Sequence, residues 1–250
     1  MRAALFSHLR RSRSFFPELA VGDTRLFTGD TESSLTPFLF TGRIHYADTP
    51  EGAKSWCGHI QSHGFSVIGL DSEWKPERRR GENNPIALLQ MSYRKQGQPE
   101  VLLVHTAFTG IPAELQDILT DESIVKVGAN LKQDKAKLQF HFGVELKGAY
   151  DLSFSKNKIL RGFASPNKTL GIKQLVAKLL GKKLKKDLTW QRSRWDKRPL
   201  QRQQMEYAAL DAYGPLAVYE KLKEMELRAA PVSQKSVKVS PLDKGPPQPQ

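Results

Sequence analysis

The sequence predicts a single α/β sheet domain over about residues 38–226, flanked by two segments that cannot join its core. Three observations support this. Short apolar runs separated by turn residues fill the first half, as strands require. Helical patterns alternate with further short apolar runs in the second half, which is the order an α/β sheet produces. The chain has 250 residues, 39% hydrophobic and 26% charged, enough for one substantial core, and no apolar run approaches a membrane span.

Phe38–Tyr46 alternates apolar and polar residues and reads as a strand. Thr49-Pro50-Glu51 then gives a helix start: a capping hydroxyl, proline at the first helical position and an acid in the first turn. That helix should run to about Ser62, with Gly64 ending it. Phe65–Asp71 is a continuous apolar run and predicts a strand buried on both faces. A polar loop from Lys75 to Pro85 carries Arg78, Arg79 and Arg80. Ile86–Tyr93 and Val101–Thr106 read as strands around a Gln96-Gly97-Gln98-Pro99 turn. Pro112–Leu119 predicts a short helix, Ile124–Gly128 a strand, Leu131–Phe142 a helix and Gly148–Leu152 a short strand. Thr169–Leu180 is amphipathic and stops at Gly181. Gln201–Leu227 is a long helical pattern, in which Pro215 removes the donor for the Asp211 carbonyl and predicts a kink or break beginning near Gly214.

Outside the domain, residues 1–17 hold Arg2, Arg10, Arg11 and Arg13 and no acid. That composition fits a mitochondrial transit peptide or a disordered basic arm. Residues 18–37 read as a flexible linker. The segment 227–250 is rich in proline, lacks aromatics and predicts disorder. The single Cys57 cannot form an internal disulfide, which favours a reducing compartment, and its simplest role is a small apolar side chain on a helix. The net charge of +13 is concentrated in one place. Between Lys156 and Arg202 lie 15 Lys and Arg against only Asp187 and Asp196, so this window accounts for the whole excess. A localised basic surface of this size points to a polyanion, most often nucleic acid; a solubilising face is the plainer alternative. Phe163, Trp190 and Trp195 within it are either stacking platforms for bases or core residues.

The chemistry begins at Asp71 and Glu73, in Val-Ile-Gly-Leu-Asp-Ser-Glu-Trp. Side chains at i and i+2 of a strand share a face, so both carboxylates point the same way, a geometry suited to a hard divalent cation. Two later acids are candidates to join them. Asp134 falls on the first turns of a helix, where it is also explained by the helix dipole or by pairing with Lys137. Tyr207 and Asp211 stand four apart on one face of a helix that is apolar nearly all round. A buried Asp there needs a partner, which a metal or the tyrosine hydroxyl would supply.

Taken in this order, the four acids and the tyrosine resemble the DEDD superfamily of 3′–5′ exonucleases, in the branch with a catalytic tyrosine. The similarity is greatest to the Werner-syndrome-type exonuclease domain. It extends from Phe40-Thr41-Gly42 to about Leu222 and rests on Gly69 through Trp74, Ala87-Leu88-Leu89-Gln90, Gly128 through Leu138, Leu179 through Lys182, Ser193-Arg194-Trp195 with Arg198-Pro199-Leu200, and Tyr207 through Tyr213. The sister branch places a histidine one position before the tyrosine, where this chain has Glu206. The resemblance implies a ribonuclease-H-like fold: a mixed five-stranded sheet flanked by helices, with one strand antiparallel.

The resemblance also implies a mechanism. Phosphodiester hydrolysis at a 3′ end, releasing nucleoside 5′-monophosphates, would use two divalent cations, and all-oxygen ligation fits Mg²⁺ or Mn²⁺. Asp71, Glu73 and Asp211 would hold the ion that activates water. Asp71 and Asp134 would hold the second, and Tyr207 would orient the attacking water. Trp74, Arg78, Arg79, Arg80, Lys182, Lys183, Lys185, Lys186 and Arg194 would contact the nucleic acid, DNA ahead of RNA. A helicase or polymerase partner is compatible with this reading, and at this length a polymerase within the same chain is not expected. The competing readings are a catalytically silent nucleic-acid-binding module and an RNA-trimming enzyme resembling ribonuclease D. The expected compartment is the mitochondrion on the N-terminal arm and the nucleus on the resemblance.

Overall fold

A computed structural model describes residues 34–163 and 169–229. The basic arm with its targeting expectation, most of the expected linker and the tail beyond 229 lie outside the described residues. In chain order the elements are β1 (Thr36–Pro37), β2 (Arg43–Ala47), α1 (Pro50–Ser62), β3 (Val67–Trp74), β4 (Ile86–Lys95), β5 (Gln98–Val104), α2 (Thr106–Thr109), α3 (Ala113–Thr120), β6 (Val125–Gly128), α4 (Lys132–Phe142), β7 (Ala149–Asp151), α5 (Lys158–Phe163), α6 (Ile172–Leu180), β8 (Lys182–Lys183), α7 (Leu188–Gln191) and α8 (Arg202–Ala229).

The punctuation expected from local chemistry is present. Thr49 caps α1 by accepting from the Gly52 N–H at 3.1 Å, with Pro50 opening the helix. Gly181 ends α6 in the left-handed region at φ +60°. The β4–β5 turn is tighter than the four residues expected. Only Gln96 (φ 50°) and Gly97 (φ 80°) lie outside the ladder, because two residues at positive φ match the twist of the flanking strands.

Among the described residues the main sheet has six strands in the order β2-β5-β4-β3-β6-β7. Only β4 is antiparallel to its neighbours. Five of these strands form the expected mixed sheet, and β2 adds a sixth by pairing in parallel with the outer edge of β5, from Arg43↔Glu100 to Ala47↔Val104. This strand begins later than the alternation at Phe38 suggests because the preceding aromatics are used elsewhere. Phe38 stacks on Tyr213 with ring centroids 5.5 Å apart, and Phe40 meets the same ring edge-on at 5.3 Å. The expected linker also ends earlier than residue 37. Thr36 and Pro37 pair in parallel with Lys182 and Lys183, forming a separate two-stranded ribbon.

Each face of the sheet buries its own helices. On one side Ile68, Leu70, Leu89, Met91 and Leu102 pack against Cys57 and Ile60 of α1, Leu115 and Ile118 of α3, and Leu138 of α4. Cys57 is fully buried and burial pushes its thiol pKa up to about 12, so it serves as an apolar core residue. On the other side Leu88 and Leu103 pack under Ala208 and Ala209 of α8, and Val127 under Leu175 and Val218. Trp195 is fully buried in this second layer and is a core residue rather than a base-stacking platform.

The break expected near Gly214 does not occur: α8 runs unbroken from Arg202 to Ala229 with Pro215 inside it. A proline in a helix interior costs about 3 kcal/mol. Here that cost is met by burial along one face, where Ala208, Ala212, Leu216, Val218 and Leu222 are all at or below 2% exposure.

The helix reaches the sheet through Gly69. A Cβ at that position would lie 2.2 Å from the Ala212 carbonyl oxygen and 2.3 Å from Ser92 Oγ. The Ser92 hydroxyl donates to the same carbonyl at 2.9 Å. Strand and helix backbones therefore touch without a side chain between them. Gly69→Ala should lower the unfolding free energy by about 1–3 kcal/mol, read from equilibrium urea denaturation. An unchanged midpoint would mean that the helix can move away from the strand at no cost.

Candidate active site

Strand alternation decides which acids meet. On β3, Asp71 and Glu73 share the face of Gly69 and so look towards α8, whereas Ser72 points to the opposite face. Asp211 reaches the same space from α8. One carboxylate oxygen from each of Asp71, Glu73 and Asp211 lies within 4.8 Å of the others. No other trio of candidate metal-ligating acids, histidines or cysteines this tight is found among the described residues. The pair sits within β3 rather than at its tip, because the strand continues to Trp74 with a register shift after Glu73.

Asp134 enters from the opposite face of the sheet, the one covered by α1, α3 and α4. It is on the first turn of α4 and is 6% exposed, and its carboxylate accepts a hydrogen bond from the Ser72 hydroxyl. The alternative explanation of Asp134 by pairing with Lys137 does not hold, because the Lys137 ammonium is bonded to Glu77, Asn83 and the Asn84 carbonyl. A cleft of about 330 Å³ nevertheless brings together Asp71, Glu73, Asp134, Tyr207, Asp211 and Lys186, and Trp74, Asn130, Gln191 and Arg192 also line it.

The electrostatics are those of a site short of positive charge. Burial, then the charges of Asp211 and Asp134, raise the Asp71 pKa well above the usual carboxylate range. Burial, then Asp71 and Asp211, do the same for Glu73. Asp134 and Asp211 are raised chiefly by burial. Lys186 Nζ lies 3.2 Å from Asp211 Oδ2. Burial opposes its charge, but Asp211, Asp71 and Glu73 outweigh burial and raise its pKa. One lysine facing four acids leaves the cluster underneutralised, and a hard cation with oxygen ligands fits this donor set. The Tyr207 hydroxyl is buried with no hydrogen-bond partner of good geometry. Burial, then the charges of Asp211 and Glu73, push its pKa upward, so the phenol stays protonated at neutral pH.

Two supports escaped the sequence reading. Asp151, at the end of β7, accepts from the Asn130 and Ser153 N–H groups at 2.9 Å and from the Leu131 N–H at 2.8 Å. Its carboxylate thus stands in for the missing side-chain cap of α4 and fixes the approach to Asp134, with Asn130 held at φ 67°. His105 bridges the Tyr46 hydroxyl (2.6 Å) and the Trp195 carbonyl (2.7 Å), tying the segment after Arg192 to the sheet. An acid at a strand end was the available signal for Asp151; no local signal marks His105.

The expected nucleic-acid contacts separate into groups. Trp74 and Lys186 line the cleft. Lys186 faces the acids rather than forming part of an outer track. Lys182 and Lys183 are exposed on β8, and Lys185 is exposed beside them. Arg78, Arg79 and Arg80 are exposed on the β3–β4 loop and do not line the cleft. Arg194 turns to Asp196 in a two-pronged ion pair of 2.7 Å bonds. Arg192 does line the cleft, and the sequence reading missed it.

A family model described as 3′-5′ exonuclease matches residues 44–226. A 3′-5′ exonuclease of Arabidopsis thaliana is 33% identical over 195 residues, covering 74% of this chain and 65% of the plant protein. The Mus musculus bifunctional 3′-5′ exonuclease/ATP-dependent helicase WRN is 32% identical over 191 residues, again 74% of this chain but 13% of the mouse protein. Among solved structures, the Aedes aegypti Nibbler EXO domain superposes with a TM-score of 0.62 at 22% identity, covering 77% of this chain and 93% of that one.

The raised carboxylate pKa values carry a sign. An acid whose folded pKa is raised contributes least cost when protonated, and stability is lost as pH rises through that pKa. In chelator, Asp71→Asn should therefore raise Tm above that of the unmodified protein. The gain should be small near pH 4 and larger at pH 7, while the Tm increase on adding Mn²⁺ should disappear. Thermal scans with and without Mn²⁺ at both pH values check this.

Proposed function

Because the chain belongs to the 3′–5′ exonuclease family, we propose that it hydrolyses the terminal phosphodiester at the 3′ end of a nucleic acid and releases nucleoside 5′-monophosphates. The observation that carries this reading is the convergence of Asp71, Glu73 and Asp211 within 4.8 Å, in one cleft with Asp134 and Tyr207. Asp71, Glu73 and Asp211 would hold one divalent cation, and Asp71 with Asp134 a second; Mg²⁺ or Mn²⁺ fits the all-oxygen donors. Such ions supply a nucleophile at neutral pH and stabilise charge on the leaving oxygen.

The remaining roles belong to the protein. Tyr207, protonated at neutral pH, holds the attacking water by a hydrogen bond and sets its line of approach. Lys186 shares the cleft with the acids, and in this reading its ammonium would balance part of the negative charge of the reacting phosphate. Arg192, Lys182, Lys183 and Lys185 extend a basic path over which a phosphate backbone runs without regard to base sequence. DNA is placed ahead of RNA because the motifs around the acids resemble the Werner type.

The test uses 3′-recessed DNA and single-stranded RNA, each labelled at the 5′ end. Ladders should shorten from the 3′ end with Mg²⁺ or Mn²⁺ and stop with chelator. Asp71→Ala and Asp211→Ala should each lose at least about a thousandfold in rate, and Tyr207→Phe about a hundredfold. Full activity in either alanine variant would overturn the proposal, and faster shortening of the RNA would reverse the order of polymers. Raising salt from 50 to 200 mM should weaken binding of all sequences alike.

A further inference from the structure

Lys137 is almost completely buried, its side chain 8% exposed, yet it lies outside the carboxylate cluster. It stands one helical turn after Asp134 on α4, so one face of that helix serves both the acids and the β3–β4 loop. Its three ammonium protons have three acceptors: Glu77 Oε1 at 2.6 Å, Asn83 Oδ1 at 2.9 Å and the Asn84 carbonyl at 2.7 Å. The ammonium also lies 4.7 Å from the centre of the Trp74 ring. These partners span both legs of the 75–85 loop. The loop is closed further by the Asn84 amide donating to the Lys75 carbonyl at 3.0 Å and by the Arg78 N–H donating to Glu82 at 2.8 Å.

Burying an ammonium is costly unless every proton is matched, and here each is. The benefit falls on what the loop carries. Trp74 and Pro76 form part of the cleft wall, and Arg78, Arg79 and Arg80 stand exposed at the loop's tip. We propose that Lys137 is a positioning residue for nucleic-acid binding: it holds the Trp74–Pro76 wall and the arginine tip in one fixed arrangement beside the acids. Resting on the exonuclease reading, the proposal predicts a role in capturing the 3′ strand rather than in the chemical step. A single buried cation locks a surface that an unheld loop would present only part of the time, and apparent affinity falls by the fraction of time the surface is unformed.

The experiment measures binding and turnover separately. Fluorescence anisotropy with a labelled single-stranded oligonucleotide in chelator, where no cleavage occurs, gives Kd. Rates against substrate concentration in Mn²⁺ give kcat and KM. Lys137→Met keeps the stem and removes the charge. It should raise Kd and KM about tenfold with kcat within about twofold of the unmodified enzyme, and Lys137→Arg should recover part of the affinity. Asn83→Ala removes one acceptor on the exposed side of the loop and should raise Kd in the same direction by a smaller factor, which keeps the test available if Lys137→Met does not fold. Unchanged Kd in a folded Lys137→Met or in Asn83→Ala overturns the inference, as does a fall in kcat at constant KM. If the unmodified protein cleaves and these variants bind normally, only the positioning role fails. If the unmodified protein neither binds nor cleaves, the exonuclease reading fails with it.

Discussion

Where α8 crosses β3, the carbonyl of Ala212 lies against the backbone of Gly69 with no room for a methyl group between them. This close approach sets the distance between the two elements that supply the acids. Asp71 and Glu73 follow Gly69 on the strand, and Asp211 immediately precedes Ala212 on the helix. Wider separation by the thickness of one side chain would carry Asp211 out of reach of the other two carboxylates. The Ser92 hydroxyl, from the neighbouring strand, holds the same carbonyl at 2.9 Å and so fixes the helix along the strand as well as above it.

That proximity costs the fold something. Burial, then repulsion from neighbouring acids, raises the pKa values of Asp71 and Glu73, and burial is the chief cause at Asp134 and Asp211. The surrounding structure opposes the repulsion with rigid supports. Lys186 pairs with Asp211, Ser72 donates to Asp134, and Asp151 gathers three backbone N–H groups at the start of the helix that carries Asp134. Each support approaches from a different element, so the acids are held by the sheet, two helices and two connecting segments together. A cluster held this way is destabilising on its own and becomes favourable when a cation is added, the arrangement expected of a site organised before its ion binds.

Much of this was legible in the residues because it depends on local chemistry. The Thr49 cap, the Gly181 stop, the β4–β5 hairpin and the shared face of Asp71 and Glu73 follow from spacing alone. The unbroken helix through Pro215 did not follow, because the burial that offsets the lost hydrogen bond is supplied by the sheet and α6, far away in sequence. Lys186 and Lys137 were illegible for a related reason. One lysine in a basic run and another in a charged helix look like solvated surface, and only the fold turns the first onto Asp211 and the second into the β3–β4 loop. Trp195 was ambiguous between platform and core until the second layer of the sheet enclosed it. The sixth strand was visible as a strand, but its partner was not.

The ribbon between Thr36–Pro37 and Lys182–Lys183 separates two boundaries that usually coincide. The family model's match begins at residue 44, yet ordered pairing begins at Thr36, and Phe38 and Phe40 cover the Tyr213 ring on α8. The portion that the family model matches is therefore shorter than the portion that folds as a unit. Those extra residues brace the segment leading to Lys186, so changes upstream of the matched residues have a physical route to the acidic cleft.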